Sequence, residues 1–317
     1  MEKETEVSII IVSFNTIKVL DECIHSIYKS NLRFSYEIIV IDNASKDESV
    51  EMLRKKYSEI TVIENKTNKL FAKANNQGAH IAKGKYLLLL NSDTIVEKDN
   101  LEKLIMFLTI SSDKIACVGP TVLNQDKTLQ SSGYALPSIS ERVTMVFHLN
   151  HLVPKWIGRL ILPIGTPNLY DSNHKVGWIS GCCILIRKEV YLQVGGLNEE
   201  LQFYGEEPEL GWKLKKFGYE TWVISDSSIV HLGGQSTKND STNFLKDTEG
   251  KLYRYSQLQK FTVGYSKAIY MSKIVILSSQ IKKNLSGSRV KKDYFNNTIE
   301  YEEKVVEYLA RCIKGNK

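Results

Sequence analysis

Three short polar runs stand where apolar runs end: Ser13-Phe14-Asn15 after Val7-Ser-Ile-Ile-Ile-Val12, Asp42-Asn43-Ala44 after Glu37-Ile-Ile-Val-Ile41, and Asn91-Ser92-Asp93 after Tyr86-Leu-Leu-Leu-Leu90. Any one of them alone is an ordinary turn or helix cap; their succession singles them out. An ionised aspartate in such a place accepts hydrogen bonds from N–H and hydroxyl groups, or ligates a hard divalent cation such as magnesium or manganese. A second acidic group, Glu206, Glu207 and Glu209, precedes a helical pattern carried by Leu210, Leu214 and Phe217, where negative charge also suits a helix N-terminus. His231, after Ile229-Val230, and Trp178, three residues before Gly181, are further candidates, each equally suited to a place in a core.

The common nucleotide signatures are missing. No GxGxxG follows the first apolar run, and the nearest approach to a P-loop, Gly78 to Lys85, has five residues between its glycines and precedes a strand. Dehydrogenase and NTPase readings weaken accordingly. A metal is then the obvious remaining way to hold a diphosphate, with Asp93 as a ligand. The five cysteines, Cys23, Cys117, Cys182, Cys183 and Cys312, are odd in number and contain no CxxC, so they outline neither a disulfide framework nor a zinc ribbon.

The elements around these residues alternate. Apolar runs at 7–14, 37–41, 60–63 and 86–90 read as strands. Helical spacing of Ile17, Leu20, Ile24, Ile27 and Tyr28, a capping box Ser45-Lys-Asp-Glu48 ahead of Val50, Leu53 and Tyr57, and a stretch from about 72 to 83 read as helices. Alternation of this kind predicts an α/β fold with βαβ units and a parallel sheet, whose ligands bind beyond the carboxyl ends of the strands. A chain of 317 residues with 42% hydrophobic and 25% charged residues is globular and of a length for two domains or one large α/β domain. It has no apolar run of spanning length and no signal-peptide pattern at its start, so a cytoplasmic location is expected. The net charge of +6 is unevenly spread. Residues 246–292 hold 11 basic and 2 acidic groups, while the rest of the chain holds 31 basic and 34 acidic.

Eight ordered motifs between about residues 7 and 240 resemble family 2 glycosyltransferases, especially the rhamnosyltransferase-like branch. Val7-Ser-Ile-Ile-Ile-Val-Ser-Phe-Asn15, Ile41-Asp-Asn-Ala-Ser45, Phe71-Ala-Lys-Ala-Asn-Asn-Gln-Gly78 and Leu89-Leu-Asn-Ser-Asp-Thr94 look like the donor half. Gly181-Cys-Cys-Ile-Leu-Ile-Arg187, Gly195-Gly-Leu-Asn-Glu-Glu200, Phe203-Tyr-Gly-Glu-Glu-Pro-Glu-Leu210 and Ile229-Val-His-Leu-Gly-Gly-Gln-Ser236 look like the acceptor half. The chain departs from the family pattern at Asn91, where a first metal-site aspartate is common, at Glu207 and Glu209, where aspartates are common, and at Leu70 and Ala74, where glycines are usual.

The resemblance implies a GT-A fold over residues 1–245. A Rossmann-like nucleotide-binding half (about 1–122) with a mixed central sheet would be continuous with an acceptor half (about 123–245), followed by a basic helical extension at 246–317. It implies that Ser13, Asn15, Asp42, Asn75, Asn76 and Asp93 bind the donor nucleotide, and that Asp93 and His231 hold manganese or magnesium. Glu207 would be the general base, supported by Glu206 and Glu209, with Trp178 and Gly181 at the sugar or acceptor. A sugar hydroxyl has a high pKa and needs its proton removed as it attacks. The activity implied is inverting transfer from a dTDP- or UDP-sugar, dTDP-rhamnose first, to a glycan or lipid-linked acceptor. Two other classes stay open: a catalytically silent nucleotide-sugar or glycan-binding module, and a nucleic-acid binder using the basic segment with its interleaved tyrosines, the less favoured of the two. Between Leu252 and Leu285 the pattern fits two amphipathic helices. Their apolar faces could pack on the rest of the chain, pair with another subunit, or lie on an anionic membrane surface, placing the enzyme peripherally at the inner face of the plasma membrane.

Overall fold

The structure is a computed structural model and describes residues 5–136, 170–201, 205–233 and 248–315. They form two compact units, one of residues 5–134 with 170–233 and one of 135–136 with 248–315. At the centre of the first is β1 (Val7–Ser13), a β-branched strand buried along almost its whole length. It pairs in parallel with β2 (Tyr36–Asp42) on one side and β4 (Tyr86–Asn91) on the other, and β3 (Thr61–Glu64) lies parallel beyond β2. Beside β4 the sheet turns mixed: β11 (Cys183–Arg187) runs antiparallel to β4 and to β6 (Ile115–Leu123), β12 (Glu220–His231) runs parallel to β6, and β5 (Thr94–Val96) runs antiparallel to the end of β12. Short strands β7 (Leu129–Gln130) and β9 (His174–Val176) extend this sheet, while β8 (Gly133–Tyr134) and β10 (Trp178–Ile179) make a separate ribbon. The mixed sheet is the one the family resemblance implies, while the alternation of elements predicted only its parallel part, β1 to β4.

Both faces of the parallel part are covered, which explains why its strands read as unbroken apolar runs. Helix α1 (Ile17–Lys29) buries Leu20, Cys23, Ile24 and Ile27 in one cluster with Val7, Ile9 and Ile11. On the opposite face Gly78 of α3 (Leu70–Ile81) meets Ile10. The register Ser13↔Asp42 and Val12↔Asn91 brings the three polar runs to one edge of the sheet.

The capping box at Ser45 does not form. Helix α2 (Ser49–Lys56) starts four residues later without a side-chain cap. The Ser45 hydroxyl instead accepts the Asn15 N–H at 2.9 Å, and Asp47 accepts the Ile17 N–H at 2.9 Å. Both side chains thus bind the loop and first turn that follow β1.

Helix α4 (Asn100–Ile110) packs on β6 and β12, and α5 (Lys188–Gln193) follows β11. Helix α6 (Glu206–Lys216) begins after Gly205 and packs on β10 and β12. Phe203, Tyr204, Gly234, Gln235 and Ser236 of the quoted motifs lie outside the described residues.

The second unit contains α7 (Thr248–Phe261), α8 (Tyr265–Leu285) and α9 (Arg289–Gly315). Gly264, at φ +83°, separates the first two. Leu252, Ala268, Val305 and Leu309 form its core, with Tyr255, Val263, Tyr265, Ile269 and Tyr308 packed against them. Much of the apolar pattern between 252 and 269 is therefore consumed within the helical unit.

Candidate active site

The edge of the sheet where β1, β2 and β4 end is laced by short polar contacts. Ser13 Oγ lies 3.0 Å from Thr16 Oγ1, which lies 3.2 Å from Ser92 Oγ. Asp42 is 2% exposed; its Oδ1 accepts the Ser45 N–H at 2.9 Å, while its buried Oδ2 has no hydrogen-bond partner. Asn15, in the left-handed region at φ +52°, accepts the Lys46 N–H at 2.7 Å and so closes the loop over Asp42. Ser13, Asn15 and Asp42 thus come together, and one buried carboxylate oxygen is left for a donor that none of the described residues supplies.

Asp93 and His231 also meet. Antiparallel pairing places His231 opposite Thr94, so Asp93 Oδ1 stands 3.3 Å from His231 Nε2, while His231 Nδ1 lies 2.9 Å from Gln130 Oε1 on β7. With the Nδ1 proton donated to that amide oxygen, the Nε2 lone pair faces the Asp93 carboxylate. Two electron-rich atoms at this separation suit neighbouring positions on one divalent cation. Among the described residues no group of three His, Cys, Asp or Glu side chains could hold a metal alone. A cation there would draw its remaining ligands from a bound phosphate and water, which is how such ions are commonly held. The residues present fit a cation of that kind.

Glu207 stands in the first turn of α6. Its Oε1 accepts the Gly181 N–H at 3.2 Å, and a Cβ at Gly181 would come within 2.4 Å of that oxygen, so a side chain there would displace the carboxylate from this position. The residue keeps some exposed surface, but burial of the carboxyl pushes its pKa up, against the lowering effect of the Glu207, Gly181 and Gly205 backbone hydrogen bonds. The next residue, Cys182, accepts the Asn91 N–H through its carbonyl at 3.0 Å, and its thiol feels the charges of both Asp93 and Glu207. Burial pushes that thiol up to about 12, so it stays protonated. The Gly181–Cys182 peptide therefore ties the end of β4 to the start of α6.

Trp178 lies flat against Tyr134, ring centroids 4.2 Å apart and planes at 17°. The Tyr134 hydroxyl is pushed up by burial first and then by the charges of Tyr170, Cys182 and Glu207; β10, which carries Trp178, packs on α6, whose first turn carries Glu207.

Three expected site residues are engaged elsewhere by the fold. Asn75 donates to the Phe71 carbonyl of its own helix at 3.0 Å. The Asn76 amide is filled by the turn after α5: Nδ2 donates to Leu197 O (2.8 Å) and Glu199 (3.0 Å), and Oδ1 accepts the Tyr191 hydroxyl (2.6 Å) and the Leu197 N–H (3.1 Å). Glu209 pairs with Lys213 at 3.0 Å, and Lys213 donates to Gly196 O at 2.6 Å. Glu206 is buried beside them at the start of α6. Sequence reasoning missed Thr16, Ser92, Gln130, Tyr134 and Cys182. Only the position of Ser92 inside a quoted polar run, and of Cys182 after Gly181, could have drawn notice.

The fold is that of the GT-A glycosyltransferases. The mannosyltransferase PcManGT of Pyrobaculum calidifontis, solved in complex with GDP-Man and Mn2+, superposes with a TM-score of 0.57 over 98% of this chain and 87% of that one, at 12% identity. Residues 8–195 match the family described as Glycosyl transferase family 2, and the chain belongs to that family. It is 28% identical over 134 residues to the N-acetylglucosaminyl-diphospho-decaprenol L-rhamnosyltransferase of Mycobacterium tuberculosis, a stretch covering 42% of each chain; less than half of that relative's length is spanned. It is 24% identical to the low-salt glycan biosynthesis hexosyltransferase Agl10 of Haloferax volcanii over 98% of this chain and 89% of that one.

Proposed function

We propose that this glycosyltransferase transfers a sugar with inversion from a dTDP- or UDP-sugar to a hydroxyl of a glycan or lipid-linked acceptor, as in the assembly of a surface polysaccharide. The observation that carries the reading is the buried Glu207 carboxylate, with its raised pKa, on the helix that packs against the Trp178 strand and tied through Gly181–Cys182 to the strand end that bears Asp93. A base of raised pKa takes a hydroxyl proton at neutral pH more readily than an ordinary carboxylate. In this reading Glu207 accepts the proton of the acceptor hydroxyl as its oxygen bonds to the anomeric carbon, the bond from that carbon to the diphosphate breaks on the opposite face, and the nucleoside diphosphate leaves. Asp42 receives an N–H or hydroxyl of the nucleoside, and Ser13 and Asn15 shape the loop around it. Asp93 and His231 would hold a divalent cation, which when bound neutralises the diphosphate. Trp178 offers a ring face to a sugar. The mycobacterial relative's name makes rhamnose the first donor sugar to try.

Release of free nucleoside diphosphate is the test. Incubated with dTDP-rhamnose and a polyprenyl diphosphate-linked sugar, or with UDP-sugars and the same acceptor, the wild-type chain is expected to release dTDP or UDP only when acceptor is present. Glu207→Gln should bind donor and release almost none. A chain that binds donor but releases nothing with any sugar and acceptor pair would be a binding module instead.

A further inference from the structure

The hairpin of α8 and α9 ends in an open apolar tip. The two helices pack along each other and are joined by Ser286-Gly287-Ser288, with the Lys292 N–H bonded to Ser288 O at 3.0 Å to start α9. On the two sides of this turn Ile281, Leu285, Val290 and Tyr294 are 44%, 81%, 78% and 66% exposed. They are spaced four apart on each helix, so each pair shares a face. Leu277 (55%) and Tyr270 (56%) carry the stripe back along α8. Lys282, Lys283, Arg289, Lys291 and Lys292 surround the tip, and between 281 and 294 the single acid is Asp293.

Packing among the described residues of the helical unit does not account for these side chains, because the core they form draws on Leu252, Ala268, Val305 and Leu309, far from the turn in sequence. Scattered exposed apolar residues are ordinary, but a cluster at a helical turn flanked by five basic residues and one acid marks an interaction surface. The partner must accept bulky apolar groups and offer negative charge immediately around them. A lipid bilayer with anionic headgroups does both: acyl chains take up the apolar side chains while headgroups meet the lysines and arginine. A second copy of the chain would bring the same positive charge against itself, and a nucleic acid has no apolar phase for Leu285 and Val290. No helix among the described residues is long and apolar enough to cross a membrane, so the contact is peripheral.

We infer that the α8–α9 tip, residues 281–294, is a membrane-docking surface for anionic lipid. The test is co-sedimentation of the full chain with phosphatidylserine-containing and pure phosphatidylcholine vesicles. Binding is expected to favour the anionic vesicles by at least about tenfold and to fall by at least about tenfold as NaCl rises from about 0.05 to about 0.5 M. The double variant Leu285→Ser/Val290→Ser and the charge variant Lys291→Glu/Lys292→Glu change only exposed side chains and should each lower binding by about tenfold or more with thermal midpoints unchanged. Absence of binding to anionic vesicles at low salt overturns the inference, as does binding that neither variant weakens. A dimer in solution that Leu285→Ser/Val290→Ser converts to monomer would give the tip to self-association, and salt-sensitive oligonucleotide binding lost in both variants would give it to nucleic acid.

Discussion

Glu207 is under opposing influences, and burial prevails over three backbone hydrogen bonds to hold its pKa above the ordinary value. Because the folded pKa is raised, its contribution to stability is fully present below the unfolded pKa of about 4.3 and is lost as pH rises through the folded value. Above the folded pKa the ionised carboxylate therefore costs stability. Glu207→Gln keeps an acceptor for the Gly181 N–H but removes the charge. It should melt at the wild-type temperature in acid and above it near neutrality, while turnover falls by about 10²-fold or more. In the wild type, turnover should climb with pH through the same raised pKa. A variant that melts lower than wild type at neutral pH would mean that the charge is compensated by a partner. Glu209 behaves differently: it too is raised by burial, but Lys213 opposes the shift. The net shift is still upward, so the site does not favour the charge, and Glu209→Gln is expected to change stability by about 1 kcal/mol or less in denaturant titration, with donor binding kept. Equal turnover losses in both variants with equal melting would make Glu209 a second candidate for the base.

At the scale of elements, the loop into α3 carries a strain visible as a departure from the family pattern. Leu70 sits at φ +64°, where the family usually has glycine, and is held there by Asn68, which accepts its N–H at 2.8 Å, and by Asn43, which accepts the Lys69 N–H at 3.3 Å. In a helix interior alanine outranks glycine by about 1 kcal/mol. Here the order should invert, with Leu70→Gly more stable than Leu70→Ala by about 1 kcal/mol in denaturant titration, since a Cβ in the left-handed region costs about that much. The usual order would mean that the turn relaxes.

Strand β7 matters for another reason, since it delivers Gln130 to His231. Gln130→Leu should weaken manganese binding in the presence of nucleoside diphosphate by about 10- to 100-fold, and Gln130→Glu, which keeps an acceptor, by much less. Equal affinities in a calorimetric titration would leave Gln130 a bystander. The parallel strands were legible because apolar runs end abruptly in polar triplets, and the register needs only their lengths. The Gln130–His231 contact was not, because it spans 101 positions and no local pattern encodes it. The same holds for Asn76, whose partners lie in the turn after α5, and for Ser45, whose local pattern suited a helix cap while a neighbouring loop claimed the side chain.

Across the whole first unit, the proposed nucleoside site at Ser13, Asn15 and Asp42 is assembled only when β1 and β2 are paired, so a ligand that binds there stabilises the fold by mass action, by about 2.7 kcal/mol at a hundred times its dissociation constant. Asp42 has one oxygen spent on the Ser45 N–H and one buried without a partner. A single acceptor matches the single N3–H of uracil or thymine, whereas guanine presents N1–H and its amino group side by side and calls for both oxygens. UDP and dTDP with manganese are therefore expected to raise the thermal midpoint more than GDP does at equal concentration, and Asp42→Asn should erase that preference. Asp93→Ala should lose the increment added by manganese while keeping the smaller shift from nucleotide alone. If GDP gave the largest shift, the single-acceptor argument would fail and Ser45 would have to release Asp42 on binding. If manganese added nothing to the wild-type shift, Asp93 and His231 would have to be reassigned as a hydrogen-bonded pair that closes the end of β12 onto β5.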